Sequence, residues 1–143
     1  MEQGVNKVKK KYFLISHNEL ANGLKKALEM IIGTQENLYA FGLMPGGHPD
    51  LITNQIEALI DEETQVVILG DIAGGSVCNS AMRLTQQPNV VLVTGMNLPL
   101  AMEIIVSQST SEQQIAAIIE EVRKGMTVQN LRPSIKESIE DFF

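Results

Sequence analysis

Two side chains in this sequence stand where an imidazole and a carboxylate can work together. His17 comes just after the apolar run Tyr12-Phe13-Leu14-Ile15, and Asp71 just after Gln65-Val66-Val67-Ile68-Leu69. A carboxylate beside an imidazole accepts the proton of one ring nitrogen. This fixes the tautomer and leaves the other nitrogen unprotonated and nucleophilic. Gly74-Gly75-Ser76 follows Asp71 closely. The glycines let the backbone approach a ligand, Ser76 can cap the next helix, and free N–H groups at a helix start suit phosphate oxygens. A nucleophilic nitrogen, a group to orient it and donors for an anion are the set needed for reversible phosphorylation of a histidine. The spacing leaves a second reading open, with His17 a polar loop residue and 71–76 a plain turn.

Two other residues carry chemistry of their own. His48 lies in the turn between Pro45 and Pro49; it can line the same mouth, but the favoured reading is a solvated neighbour of a helix start. Cys78 falls in the first turn of a helix, where a thiolate is stabilised. A hydrolase or transferase with a Cys78 nucleophile is therefore an alternative, set against the favoured reading of a small apolar filler facing the sheet. The histidines and the cysteine lack zinc-ligand spacing, so no metal is expected. Met44, Met82, Met96, Met102 and Met126 read as core or interface residues.

The elements that must position these groups alternate in type. Short apolar runs at 12–15, 37–43, 65–69 and 89–93 are strand candidates, and helical periodicity fills the intervals. The run at 65–69 is apolar throughout after Gln65, as expected of a strand covered on both faces. Leu20, Leu24, Leu28 and Ile32 share a helical face that Gly33 ends, and Pro49 suits the first position of the next helix. Further helices are predicted from Ser76 to about Gln87, from Leu98 to Ser107, and from Ser111 to Lys124. Ser111 and Gln114 form a capping-box pattern. The predicted fold is α/β, an open, mostly parallel sheet of about four strands flanked by helices. In such sheets ligands bind beyond the carboxyl ends of the strands, and the first and third strands are commonly neighbours where the strand order reverses. Thr127 to Leu131 reads as a short extra strand, and Pro133 to Phe143 as a last helix.

Composition bounds the function. The chain has 143 residues, of which 44% are hydrophobic, enough for one domain with one core. A formal net charge of −6, only 4% aromatic residues and no Trp argue against a nucleic-acid partner. The lone Cys78 can form no internal disulfide and points to a reducing compartment. The basic N-terminal cluster of Lys7 and Lys9 to Lys11 precedes an apolar stretch too short for a signal peptide or a membrane span. A cytoplasmic protein without membrane insertion is expected.

From Phe13 to about Gly125 the sequence resembles the mannose-type (mannose/fructose/sorbose) IIA component of the bacterial sugar phosphotransferase system. The resemblance is carried by Leu14-Ile15-Ser16-His17, Gln35-Glu36-Asn37, Pro45-Gly46, Gly70-Asp71-Ile72-Ala73-Gly74-Gly75-Ser76 with Asn79, and Val93-Thr94-Gly95-Met96-Asn97-Leu98-Pro99. It implies that His17 takes a phosphoryl group from the carrier HPr and passes it to a IIB component during sugar uptake. It also implies that Asp71 partners the histidine, that Ser76 lies at the phosphate site with Gly74 and Gly75, and that no cofactor is needed. A homodimer that exchanges a C-terminal strand is implied too, which suits Thr127 to Leu131. The expected unit is a single domain over 1–143, with its core at about 11–125 and a dimer-related tail at 126–143. Asn18, Ala73 and Val77-Cys78 depart from the family's usual glycine, aromatic residue and Pro-Phe pair, and these changes bear on partner choice. The alternative role is a regulatory phosphoacceptor, such as a dihydroxyacetone kinase phosphoryl donor component or a sugar-status sensor.

Overall fold

The computed structural model describes residues 8–133. Lys7 and all of the predicted last helix beyond Pro133 lie outside the described residues. The chain runs β1 (Lys10–His17), α1 (Leu20–Ile32), β2 (Leu38–Leu43), α2 (Pro49–Leu59), β3 (Gln65–Gly70), α3 (Ser76–Ala81), β4 (Val90–Thr94), α4 (Leu98–Ser107) and α5 (Glu112–Val122). Short 3₁₀ turns at Met82–Gln86 and Arg123–Gly125 follow α3 and α5. The four strands form one parallel sheet in the order β2-β1-β3-β4. The strand order therefore reverses between β1 and β3, as predicted.

Strand alternation sorts the core into two layers. Tyr12 and Leu14 of β1, with Val67 and Leu69 of β3, face α1, α4 and α5 through Leu28, Leu100, Ile104 and Ile115. Phe13, Ile15, Val66 and Ile68 face the opposite side, against Ile52 and Ile56 of α2 and Val77 and Ala81 of α3. With both faces covered, the middle of β1 (Tyr12 to Ile15) and of β3 (Val66 to Leu69) is apolar throughout. The Phe13 ring stacks on Tyr39 at a centroid distance of 5.0 Å, a contact worth about 0.5–1.5 kcal/mol beyond its buried area. The Tyr12 hydroxyl, sunk in the other layer, donates to the Ser109 carbonyl at 3.0 Å. Burial there pushes its phenol up to about 12.

Local signals end and start the helices where the sequence places them. Gly33, with φ of +87°, closes α1 by donating its N–H to Glu29. Pro49 sits in the first turn of α2, Asn97 accepts the Leu100 N–H at 3.0 Å to cap α4, and Ser111 accepts the Gln114 N–H at 3.1 Å to cap α5. Two expectations change. The helix predicted from Ser76 to about Gln87 tightens after Ala81 into 3₁₀ winding. There the Thr85 hydroxyl donates to the Met82 carbonyl at 2.6 Å, and Pro88 biases the residue before it out of helical backbone. Thr127 to Leu131 forms no strand in the isolated chain, and Val128 and Leu131 stand fully in solvent.

Glycine is required where β2 meets the turn after β1. A Cβ on Gly42 would land on the carbonyl oxygen of Asn18, a backbone atom with no freedom to yield. Gly23, exposed in the middle of α1, has open space where its Cβ would be. Gly42→Ala should therefore destabilise the fold by roughly 1–3 kcal/mol, and Gly23→Ala should stabilise it by about 0.4–1 kcal/mol. Urea unfolding at a fixed protein concentration measures both; equal effects would refute the close approach of β2 to the turn.

Candidate functional site

The register of β1 against β3 pairs Ile15 with Gly70. His17 is the last residue of β1 and Asp71 the first beyond β3, so the two emerge side by side at the carboxyl rim of the sheet. The Asp71 N–H donates to the Ile15 carbonyl at 3.2 Å and continues the ladder one step past the strand. The Asp71 side chain then turns back across the strand ends. Its Oδ2 accepts the main-chain N–H of His17 at 2.8 Å and meets ring Nδ1 of the same residue at 2.8 Å. Its Oδ1 accepts the Ile72 N–H at 2.9 Å.

This geometry decides the charge and the tautomer. The Asp71 side chain is 9% exposed and that of His17 48%. Burial pushes the Asp71 carboxyl up, but the hydrogen bonds from His17 and Ile72 and the attraction of the His17 ring outweigh it and hold the group below its ordinary 3.8. An ionised carboxylate only accepts hydrogen bonds, so Nδ1 is the protonated nitrogen of the neutral ring. Nε2 keeps its lone pair, and the half-exposed ring presents it at the open rim.

Ser76 and the glycines complete the rim. Ser76 Oγ lies 3.4 Å from His17 Nε2. A Cβ on Gly75 would stand 3.3 Å from His17 Cε1 and 2.8 Å from Ile72 Cγ2, so any larger residue would crowd the imidazole and push the Ile72 side chain aside. Gly74 has φ of +78°, which glycine adopts without strain. The N–H groups of Ser76 and Val77 open α3 and have no carbonyl partner inside that helix. Asn79, for which the sequence suggested no role, donates through Nδ2 to the Gly74 carbonyl at 3.1 Å and braces this loop. The available signal was an Asn one turn inside a helix that follows two glycines, a place where a side-chain amide can fold back on the loop.

The structure does not bring the remaining candidates into the site. The His48 side chain is 71% exposed and caps α2, its Nδ1 accepting the Asp50 N–H at 3.2 Å. Cys78 is buried, and its sulfur fills the space where a side chain on Gly70 would go. Burial, with the negative charge of Asp71 adding to it, pushes the thiol up, the reverse of what a cysteine nucleophile needs. Among the described residues, no group of three or more His, Cys, Asp or Glu side chains gathers into a metal site, and no helix is long and apolar enough to cross a membrane.

Compared with known proteins, residues 11–123 match the family described as PTS system fructose IIA component. The chain is 31% identical over 98 residues to the sorbose-specific EIIA component of Klebsiella pneumoniae, covering 66% of this chain and 72% of that one. It is 26% identical over 125 residues to the mannose-specific EIIAB component of Escherichia coli strain K12, covering 82% of this chain but only 39% of that longer protein. Among solved structures it is similar to the PTS IIA protein associated with the fucose utilization operon of Streptococcus pneumoniae. That match has a TM-score of 0.73 at 28% identity and covers 84% of this chain and 93% of the other. The mannose/sorbose specific IIA subunit from Enterococcus faecalis shares the fold, with a TM-score of 0.73 at 24% identity, over 89% of this chain and 98% of its own. With the family matched over residues 11–123 and the fold shared with solved IIA structures, this chain belongs to the mannose/fructose/sorbose-type IIA components of the sugar phosphotransferase system.

Proposed function

We propose that this chain is a phosphohistidine carrier, in which Nε2 of His17 takes a phosphoryl group from HPr and passes it to a IIB component during sugar uptake. The observation that carries this reading is the single Asp71 oxygen held at 2.8 Å from both the His17 main-chain nitrogen and ring Nδ1. It aims an unprotonated Nε2 outward. The lone pair of Nε2 attacks phosphorus, the bond from phosphorus to the donor's nitrogen breaks, and the donor nitrogen keeps the electron pair. The ring then carries positive charge, which the Asp71 carboxylate balances while holding Nδ1–H. Ser76 Oγ and the N–H groups of Ser76 and Val77 take the phosphoryl oxygens. The second transfer is the same step in reverse, with His17 as donor.

An open rim suits this work, because donor and acceptor proteins must each reach Nε2 in turn. The chain carries no sugar contact in this scheme and needs neither metal nor organic cofactor. We place it in the cytoplasm, as one domain with its core at about 11–125 and a tail that serves a homodimer. Two features support the dimer: among the described residues the outer edge of β4 pairs with no strand, and the apolar side chains of Val128 and Leu131 stand in solvent.

Incubation with enzyme I, HPr and phosphoenolpyruvate should give one acid-labile phosphate per chain. His17→Ala should abolish the label, and label persisting on another residue would reject the assignment. Asp71→Asn should slow transfer on the order of a hundredfold by releasing the ring; an unchanged rate removes Asp71 from the step. The Asp71 carboxyl has a native value below its unfolded one, so its stabilisation is complete above about pH 4 and is lost as pH falls through the native value. Wild-type unfolding free energy should thus drop more steeply than that of Asp71→Asn below pH 4; parallel curves would show no such linkage. Light scattering should find a wild-type dimer, and the pair Val128→Asp and Leu131→Asp should shift it to monomer. A monomeric wild type would overturn the exchange.

A further inference from the structure

We propose that Ser16 is a positioning residue for His17: its hydroxyl fixes the turn after β1 so that the His17 main chain and ring meet Asp71 together. The proposal deepens the reading of His17 as the phosphoryl acceptor and names a residue on which that orientation depends.

Ser16 is a polar side chain with no exposed surface, one residue before His17. By strand alternation it shares the face of Tyr12 and Leu14, where a serine has to justify its burial by hydrogen bonds. It makes two. The hydroxyl oxygen accepts the Ala21 N–H at 2.7 Å and donates to the Asn18 carbonyl at 3.3 Å. Ala21 is wholly buried near the start of α1, and Glu19, at the N-cap position of that helix, offers no side-chain cap. Ser16 thus supplies the missing cap from the strand, four residues before the first helical residue.

The same hydroxyl controls what lies between. Asn18 adopts φ of +52°, a left-handed conformation uncommon outside glycine. It is pinned on the β2 side as well, where its N–H donates to the Leu43 carbonyl at 2.7 Å and its carbonyl occupies the space left by Gly42. His17 is therefore held between two anchored neighbours. Its main-chain N–H and its ring must both reach one oxygen, so a rotation of the His17 peptide would break both contacts at once. Without the Ser16 hydroxyl, the Asn18 carbonyl loses a donor and the buried Ala21 N–H loses its acceptor. The turn is then free to relax.

A simple helix cap would act only on stability, and the test separates the two roles. The chain has two histidines, so ring ¹⁵N spectra of the unphosphorylated protein can be assigned to His17 and His48. Wild type should show His17 as the single Nδ1–H tautomer. Ser16→Ala should show both tautomers and accept phosphate from phosphorylated HPr about ten- to a hundredfold more slowly. Ser16→Thr, which keeps the hydroxyl, should restore both readouts. Adding Gly23→Ala to Ser16→Ala should recover melting temperature through α1 while the mixed tautomer and slow transfer persist. A single tautomer with wild-type transfer in Ser16→Ala, recovery of transfer in the double variant, or a Ser16→Thr as slow as Ser16→Ala would each overturn the proposal. If wild type takes no phosphate at His17, the carrier reading fails alone, because the tautomer spectra still decide the role of Ser16.

Discussion

Two donors of one residue, the main-chain N–H and the ring N–H of His17, converge on a single oxygen of Asp71, and the rest of the molecule is organised around making that possible. A carboxylate reaches both only if β1 and β3 are parallel neighbours whose carboxyl ends are level. The Ile15–Gly70 register provides that level. Parallel neighbours in turn demand helical crossovers on both faces, which explains why the strands are apolar on both sides and why the core divides into two layers. The carboxylate at the rim is nearly enclosed, yet it stays charged because backbone and ring donors replace the water it gives up.

The close contacts around this pair are met by small residues. Gly42 makes room for the Asn18 carbonyl, Gly70 for the Cys78 sulfur, and Gly75 for the imidazole itself. Each lies at a strand end or in the rim loop, where one chain segment passes directly over another. Asn79 and Ser16 complement them with side-chain hydrogen bonds to the loops on either side of the histidine. The rim is thus set by backbone geometry more than by a cluster of large side chains.

Much of this was legible in the sequence for a physical reason. The apolar runs at 12–15 and 65–69 mark strands buried on both faces, so the polar residues just past them had to lie at the rim. That located His17 and Asp71 without coordinates. Gly33, Pro49 and Ser111 announced helix ends because their backbone or capping chemistry is local. What stayed hidden depends on partners distant in space. Ser16 looks like an ordinary polar residue at the end of a strand, and only the path of α1 over the sheet brings Ala21 to it. The tightening after Ala81 accompanies a Thr85 hydroxyl bond to the Met82 carbonyl, where periodicity alone continues smoothly to Gln87. The tail at 127–131 has strand composition, yet it pairs with no strand among the described residues, because composition alone does not dock a segment against a sheet edge.

In the carrier role proposed for His17, the sparse set of donors beside it has an energetic consequence. It consists of one hydroxyl and the opening amides of a six-residue helix, and among the described residues no lysine or arginine hydrogen-bonds to His17, Asp71 or Ser76. Such a seat makes a shallow well. Each extra 1.4 kcal/mol of grip would cost about a factor of ten in the ease of letting go. A group that must be received and surrendered across the same rim is better served by loose tenure, leaving the direction of traffic to the supply and demand of whatever docks there.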